Sequence, residues 1–322
     1  MMKQALVTGG TGFIGSHLVE ELIKQGYDVT CLIRDKSKLL WLEGFHVSFI
    51  QGDCRTVEPL AERIGEFDYI FHLAGVTKAS SSAEFYCTNS KGTANFIEMA
   101  AKHNNKIKRF VHLSTLAAAG PCKDGIPSDT SSEPDPVSDY GKSKLEGEQC
   151  VLQYKDNIPV TVIRPPAVYG PRDKDMYVVF KMIQHGIFPH WGESFYSMIY
   201  VEDLARGIVD SVKTDKTIGK TYYLSDLNVY SNCDIANAIA EELECHYLKI
   251  RVPKFLMHPI AGISEKLLKH SIINSDKIRE LNYTHWVCNS DDAMKDFEFD
   301  PKVCLKEGIK WTANWYKIHK WL

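Results

Sequence analysis

"ALVTGGTGFIGSHLVEELIKQGYDV" spans residues 5–29, and the order of residue types in it decides the fold. A short apolar run leads into Gly9, Gly12 and Gly15, spaced three apart, and then into an amphipathic helical pattern. The first glycine permits a tight turn, the second lets a pyrophosphate approach the backbone, and the third brings helix close to strand. The unsatisfied N–H groups at the start of the helix would then face the anion. A glycine-rich turn without a ligand is the plain alternative. Against it, strand, turn and helix follow one another in the order a dinucleotide site requires.

Outward from this turn, apolar runs alternate with helical patterns: "VTCLI" (29–33), "VSFIQ" (47–51), "YIFHL" (69–73), "RFVHLS" (109–114) and "VTVIR" (160–164). With "QALVT" (4–8) they predict six strands. Strands so continuously apolar are covered on both faces, and strand–helix alternation builds a parallel sheet. The expected fold is therefore α/β, a Rossmann-type doubly wound parallel sheet. After "RPPAVYGPRD" (164–173) the rhythm changes to helical patterns at 174–185, 201–213 and 231–244, with one further strand at "TYYLS" (221–225). This divides the chain into a dinucleotide-binding domain, 1–165, and a smaller, mostly helical substrate-capping region, 166–322, with 200–225 packing back onto the first. The polar, proline-rich "CKDGIPSDTSSEPDPVSD" (122–139) reads as a surface loop.

The 322 residues are 44% hydrophobic and 25% charged, a globular balance, and a net charge of −3 offers no bulk attraction to nucleic acid or anionic lipid. No nucleic-acid role is expected. Nine cysteines, odd in number and scattered without a C-x-x-C pair, suit reduced thiols in a cytoplasmic compartment. The start lacks the long apolar run of a signal peptide, and no stretch approaches the ~18 apolar residues of a membrane span. The histidines form no H-x-x-x-H pair, so no metal is expected.

The second strand ends "CLIRDKSK" (31–38). An acidic residue at its last position would bind a ribose 2′-hydroxyl, but Ile33 stands there and Arg34 follows, a guanidinium suited to a 2′-phosphate. Lys36 and Lys38 add positive charge, although Asp35 sits among them and a solvated mixed-charge loop is the alternative. NADP(H) is favoured, with NAD(H) the second choice. In "QGDCR" (51–55), Asp53 is a candidate acceptor for the adenine amino group, with a turn role as its rival.

The motif order resembles the extended branch of the short-chain dehydrogenase/reductase family, which holds nucleotide-sugar epimerases and dehydratases, dihydroflavonol-type reductases and 3β-hydroxysteroid dehydrogenase-like enzymes. The likeness rests on "TGGTGFIG" (8–15), "GDC" (52–54), "HLAG" (72–75), "NSKGTAN" (89–95), "HLSTLAAAG" (112–120), "YGKSK" (140–144), "RPPAVYGP" (164–171), "YVEDLARGI" (200–208) and "EGIKWTANWY" (307–316). It implies that Phe13, Ile14, Cys54, Leu73, Ala74 and Gly75 line the cofactor and that Asn89 orders the site through backbone contacts, where an ordinary helix cap is the alternative. His72 reads as a hydrogen-bonded strand-end histidine. A homodimer is implied by the family alone.

Three Tyr-x-x-x-Lys pairs occur: Tyr140/Lys144, Tyr177/Lys181 and Tyr316/Lys320. Only the first lies between the fifth and sixth strands, where a helix entering the crevice would present both side chains one turn apart on one face. Hydride transfer to a carbonyl needs a proton donor, and a tyrosine needs a nearby cation to hold its phenolate. Tyr140 is thus the expected acid/base and Lys144 its electrostatic partner, which the resemblance also places on the nicotinamide ribose. Thr115, aligned with the family's Ser/Thr, would hydrogen-bond the substrate oxygen.

The dehydratases follow their threonine with Asp-Glu, whereas Leu116 and Ala117 follow Thr115 here. Where many sugar-nucleotide enzymes carry a diphosphate-binding arginine, "ESFYSMIYVEDLA" (193–205) has Tyr196. The stretches "MYVVFKMIQHGIFPHW" (176–191) and "PKFLMHPIAGISEKLLK" (253–269) offer large apolar side chains, read either as core or as pocket lining. Together these favour an apolar or aromatic ketone, or the matching secondary alcohol, as the small-molecule substrate. The rivals are a nucleotide-sugar epimerase that reduces its cofactor transiently and a non-catalytic dinucleotide-binding scaffold or sensor. Trp311, Trp315, Ile318 and Leu322 form a stripe near the end of the chain that packing explains better than peripheral membrane contact.

Overall fold

The computed structural model describes residues 2–35, 39–57, 60–123, 125–253, 255 and 275–322. Its strands are β1 (Lys3–Thr8), β2 (Tyr27–Ile33), β3 (Ser48–Gln51), β4 (Tyr69–His72), β5 (Arg109–Leu113), β6 (Val160–Arg164), β7 (Ala167–Tyr169), β8 (Ile187–His190), β9 (Phe195–Tyr200), β10 (Lys220–Tyr223), β11 (Val229–Ser231), β12 (Leu248–Arg251) and β13 (His285–Trp286). Helices α1 (Phe13–Lys24), α2 (Ser82–Phe85), α3 (Thr93–His103), α4 (Leu116–Ala119), α5 (Asp139–Leu152), α6 (Lys174–Gln184), α7 (Val201–Asp210), α8 (Asn232–Glu242) and α9 (Ser275–Leu281) follow in chain order, and the helix Leu305–Ile318 lies near the end of the chain.

The main sheet is parallel, with strand order β10-β6-β5-β4-β1-β2-β3. It has seven strands where the apolar runs predicted six. The seventh, β10, overlaps "TYYLS" and joins β6 in register Thr221↔Val162. Pleating explains its place. Tyr222 packs with the core on one face and Tyr223 with Leu116 on the other, so the strand is buried from both sides.

Alternating side chains split the core accordingly. On one face Leu18, Val19 and Leu22 of α1 and Leu204 and Ile208 of α7 pack against Val7, Val29 and Phe71. On the other, Phe96, Ile97 and Ala100 of α3 and Val151 of α5 cover Leu6, Ile70, Phe110 and Val162. Strand order reverses between β1 and β4, so the loops leaving these carboxyl ends diverge and open a crevice.

The later residues build two small sheets, β11-β9-β13 with β7 beside β9, and β8 with β12. The apolar stretch at 176–191 serves mainly as their core. Phe180 and Ile183 are fully buried against Tyr316 and Ile239, and Met176, Tyr177 and Phe188 pack on that cluster. The 253–269 stretch lies outside the described residues except Pro253 and Phe255. The stripe near the chain end divides: Trp315 stacks on His319 at 3.9 Å and meets Trp41, and Leu322 packs inward, while Trp311 and Ile318 stay exposed. Among the described residues, no helix is long and apolar enough to cross a membrane. All nine cysteines are free thiols.

Candidate active site

Six strand ends deliver loops to one groove of about 680 Å³. Gly9, Gly12, Phe13, Ile14 and Gly15 form its floor, Arg34, Asp53 and Cys54 one end, Leu73, Ala74 and Gly75 a wall, and Thr115, Tyr140 and Lys144 the far side. Lys36 and Lys38 lie outside the described residues.

The glycine turn has the shape its spacing implied. Gly9 sits at φ +73°, and a Cβ there would stand 2.8 Å from the Leu73 carbonyl carbon. At Gly15 a Cβ would come within 2.1 Å of the Gly9 oxygen. The cradle is thus bare backbone at the N-terminus of α1, with the dipole and N–H groups an anion needs. These residues fit the pyrophosphate of a nicotinamide dinucleotide. Gly15→Ala is expected to push α1 off β1, lowering unfolding stability by roughly 1–3 kcal/mol and abolishing the rise in fluorescence of a reduced nicotinamide dinucleotide on binding. Denaturant titration with and without cofactor measures both.

Arg34 follows β2 at the surface of the groove. Asp53 is held by Arg55, whose Nε and Nη2 donate at 3.0 and 2.7 Å and whose backbone N–H donates at 2.9 Å. Its hydrogen bonds are those of a turn, although the residue still borders the groove, and the Arg55 guanidinium lowers its pKa.

Asn89 stands behind the wall, fully buried in a π-helical turn, Tyr86–Gly92, rather than at a helix cap. Its Oδ1 accepts from the Val76 N–H at 2.8 Å, and its Nδ2 donates to the Val76 carbonyl and the Ser143 hydroxyl, both at 3.0 Å. One side chain thereby fixes the β4 loop against α5. His72 is buried between the hydroxyls of Thr8 and Thr93, at 2.8 and 3.1 Å, and burial holds its pKa down at about 3.

Thr115 caps α4, accepting from the Ala117 N–H at 3.2 Å, and lines the groove together with Tyr140. Burial pushes the Tyr140 phenol up to about 12, against the lowering influence of the nearby Thr115 side chain. Lys144, one turn further along α5, donates from Nζ to the Leu113 carbonyl at 2.7 Å. Burial lowers its pKa to about 8, and Glu148 opposes the fall. The hydroxyl pair and the ammonium therefore face the same space at the mouth of β5.

Sequence reasoning did not find the far rim. Arg172 adopts φ 73°, pairs with Glu20 and lies 5.4 Å above the ring of Trp41. His17 of α1 meets the Pro171 carbonyl at 3.0 Å, and Lys78 pairs with Asp175. The loop "GPRD" (170–173) was a usable signal, since it leaves β7, shortly after β6, beside the crevice. Nothing in the sequence marked Trp41. Another omission is Lys277, whose charge bears on both Tyr140 and Tyr196 while bonded to Glu280 at 2.7 Å. A cation thus stands near the place where Tyr196 replaces the expected arginine.

Residues 5–224 match the model of the NAD dependent epimerase/dehydratase family. The chain is 31% identical to an uncharacterized UDP-glucose epimerase, YtcB, of Bacillus subtilis, covering 94% of this chain and 95% of that one. It is 28% identical to a ceramide reductase of Caulobacter vibrioides, over 98% and 95% of the two chains. A solved UDP-glucuronic acid 4-epimerase from Bacillus cereus shares the fold, with a TM-score of 0.81, 22% identity and coverage of 98% and 99%.

Proposed function

We propose, from the premise that this chain belongs to the NAD dependent epimerase/dehydratase family, that it is an NADP(H)-dependent oxidoreductase reducing an apolar or aromatic ketone to a secondary alcohol. The observation that carries the reading is that Thr115, Tyr140 and, one turn further along α5, Lys144 line one groove together with the glycine turn. Burial holds the Tyr140 phenol protonated at neutral pH, and the Lys144 ammonium is the group that would make its proton transferable.

When bound, the nicotinamide would supply the hydride. The chain's own residues do the rest. The glycine turn would take the pyrophosphate on its N–H groups, and Arg34 the 2′-phosphate. Thr115 holds the substrate oxygen, Tyr140 gives it a proton, and the Lys144 ammonium stabilises the phenolate left behind. Residues 116 and 117, Leu and Ala, supply no acid or base for dehydration. The likeness to a ceramide reductase and, at 26% identity, to a 2-alkyl-3-oxoalkanoate reductase of Shewanella oneidensis supports an apolar carbonyl substrate.

The test is a turnover screen of NADPH and NADH against hydrophobic ketones and sugar nucleotides. Net NADPH oxidation by a ketone is expected. Lys144 is charged below its folded value of about 8, so reduction should hold level at neutrality and fall as pH rises through about 8. The likeness to a UDP-glucose epimerase supports a second reading. Interconversion of a sugar nucleotide without net cofactor change, and no ketone turnover, would replace the first reading with it.

A further inference from the structure

The catalytic helix does not begin with its own cap alone. Ser138, the residue before α5, accepts from the Gly141 N–H at 3.0 Å, which leaves the N–H groups of Asp139 and Tyr140 without a local acceptor. Both are taken by one carboxylate that lies 137 residues away in sequence from Asp139. Asp276 of α9 accepts from Asp139 N–H at 2.6 Å through Oδ1 and from Tyr140 N–H at 3.1 Å through Oδ2.

The rest of α9 reinforces this seat. Ser138 Oγ donates to Glu280 at 2.8 Å, and Arg279 bridges Asp139 at 3.1 Å and Asp276 at 3.6 Å. Trp286 Nε1 donates to the Glu280 carbonyl at 3.2 Å, tying the end of α9 to β13, while Ile278 is fully buried with Trp191 and Leu281 packed on it. A carboxylate on a helix N-terminus is favoured by the dipole, and ionic hydrogen bonds are roughly twice as strong as neutral ones.

We infer that Asp276 is a positioning residue for Tyr140: by closing the first turn of α5 from the capping region, it holds the tyrosine hydroxyl against Thr115 and the substrate oxygen. Tyr140 is the second residue of its helix, so fraying of that turn displaces the proton donor directly. A displacement of about 1 Å in such a group costs on the order of a hundredfold in rate. The charged groups around it are Lys144 on its own helix, Asp139 at the helix start, and Asp276, Lys277, Arg279 and Glu280 on α9. This inference rests on the reading of Tyr140 as proton donor.

Three variants, Asp276→Ala, Asp276→Asn and Tyr140→Phe, separate the two ideas. Hydrogen exchange at the Asp139 and Tyr140 amides, NADPH affinity by fluorescence, and kcat and KM for the ketone with the fastest turnover are measured on each full-length protein. Asp276→Ala should speed exchange at both amides about tenfold or more and lower kcat between about tenfold and a hundredfold, with NADPH affinity within about twofold of the parent. Asp276→Asn keeps one acceptor of the same shape and should fall between; it carries the test should the alanine variant unfold. Unchanged exchange, unchanged kcat, or an equal loss of NADPH affinity would each overturn the inference. A fully active Tyr140→Phe would instead overturn the proton-donor reading, whereas an inactive one beside an unaffected Asp276→Ala would remove the positioning role alone.

Discussion

Tyr140→Phe is expected to lower the proposed ketone reduction by about 10²–10⁴-fold, the range that a positioned general acid contributes. The ring keeps its tilted contact with Phe85 at 6.0 Å, and Thr115 keeps its bond from Ala117, so packing and the α4 cap are both preserved. Stability should therefore change by no more than about 1 kcal/mol, the net worth of one hydroxyl hydrogen bond. Affinity for the nicotinamide dinucleotide should also hold, because the glycine turn and Arg34 are untouched. Single-turnover rates beside thermal unfolding give the answer. Retained turnover, or turnover lost only together with the fold, would rule out Tyr140 as the proton donor.

Glu148→Gln is expected to act on stability instead, lowering it by about 3–5 kcal/mol. Glu148 is 1% exposed and Arg164 6%. The guanidinium donates from Nη2 to Oε2 at 2.6 Å and from Nε to Oε1 at 3.0 Å, while Ser114 also donates to Oε1 and Arg164 reaches the Tyr223 hydroxyl at 3.0 Å. The amide keeps the volume but leaves the Arg164 charge buried without its counter-ion. Replacing both partners, Glu148→Leu with Arg164→Met, should recover most of the loss, since the uncompensated charge is what costs. Urea titrations of the three proteins distinguish this from simple loss of packing, for which the double variant would be worse than the single. Glu148 also opposes the fall in the Lys144 pKa, so its loss lowers that pKa further and moves the alkaline decline in reduction to lower pH.

The network is legible only in part from the sequence. Glu148 falls one turn beyond Lys144 on α5, a spacing visible in "YGKSKLEGE", but that its partner is Arg164 at the end of β6 depends on how the helix lies on the sheet. Asp53 shows the opposite limit. Its position after β3 suited an adenine contact and it does border the groove, but the sequence left open that Arg55, two residues on, binds the same carboxylate in a turn. The apolar stretch at 176–191 was open between core and pocket because a helical period reports that one face is covered without saying by what. Tyr316 and Ile239 cover it, so the substrate cleft owes little to it.

Backbone sterics at Gly9 and Gly15, unbroken apolar runs and a one-turn spacing on a helix are short-range constraints, written in neighbouring residues, and these carried the Rossmann sheet, the dinucleotide cradle and the candidacy of Tyr140. Which Tyr-x-x-x-Lys pair is presented to the groove was settled by packing across the whole chain: Tyr177 gives its hydroxyl to the Trp321 carbonyl at 2.6 Å and Tyr316 to that of Asp173 at 2.5 Å, whereas Tyr140 borders the groove. The cation beside Tyr196, the Arg164–Glu148 pair and the Asp276 carboxylate at the start of α5 arise likewise from contacts between distant segments. Their geometry follows from how sheet, helices and capping region enclose one another, which no local pattern of residues records.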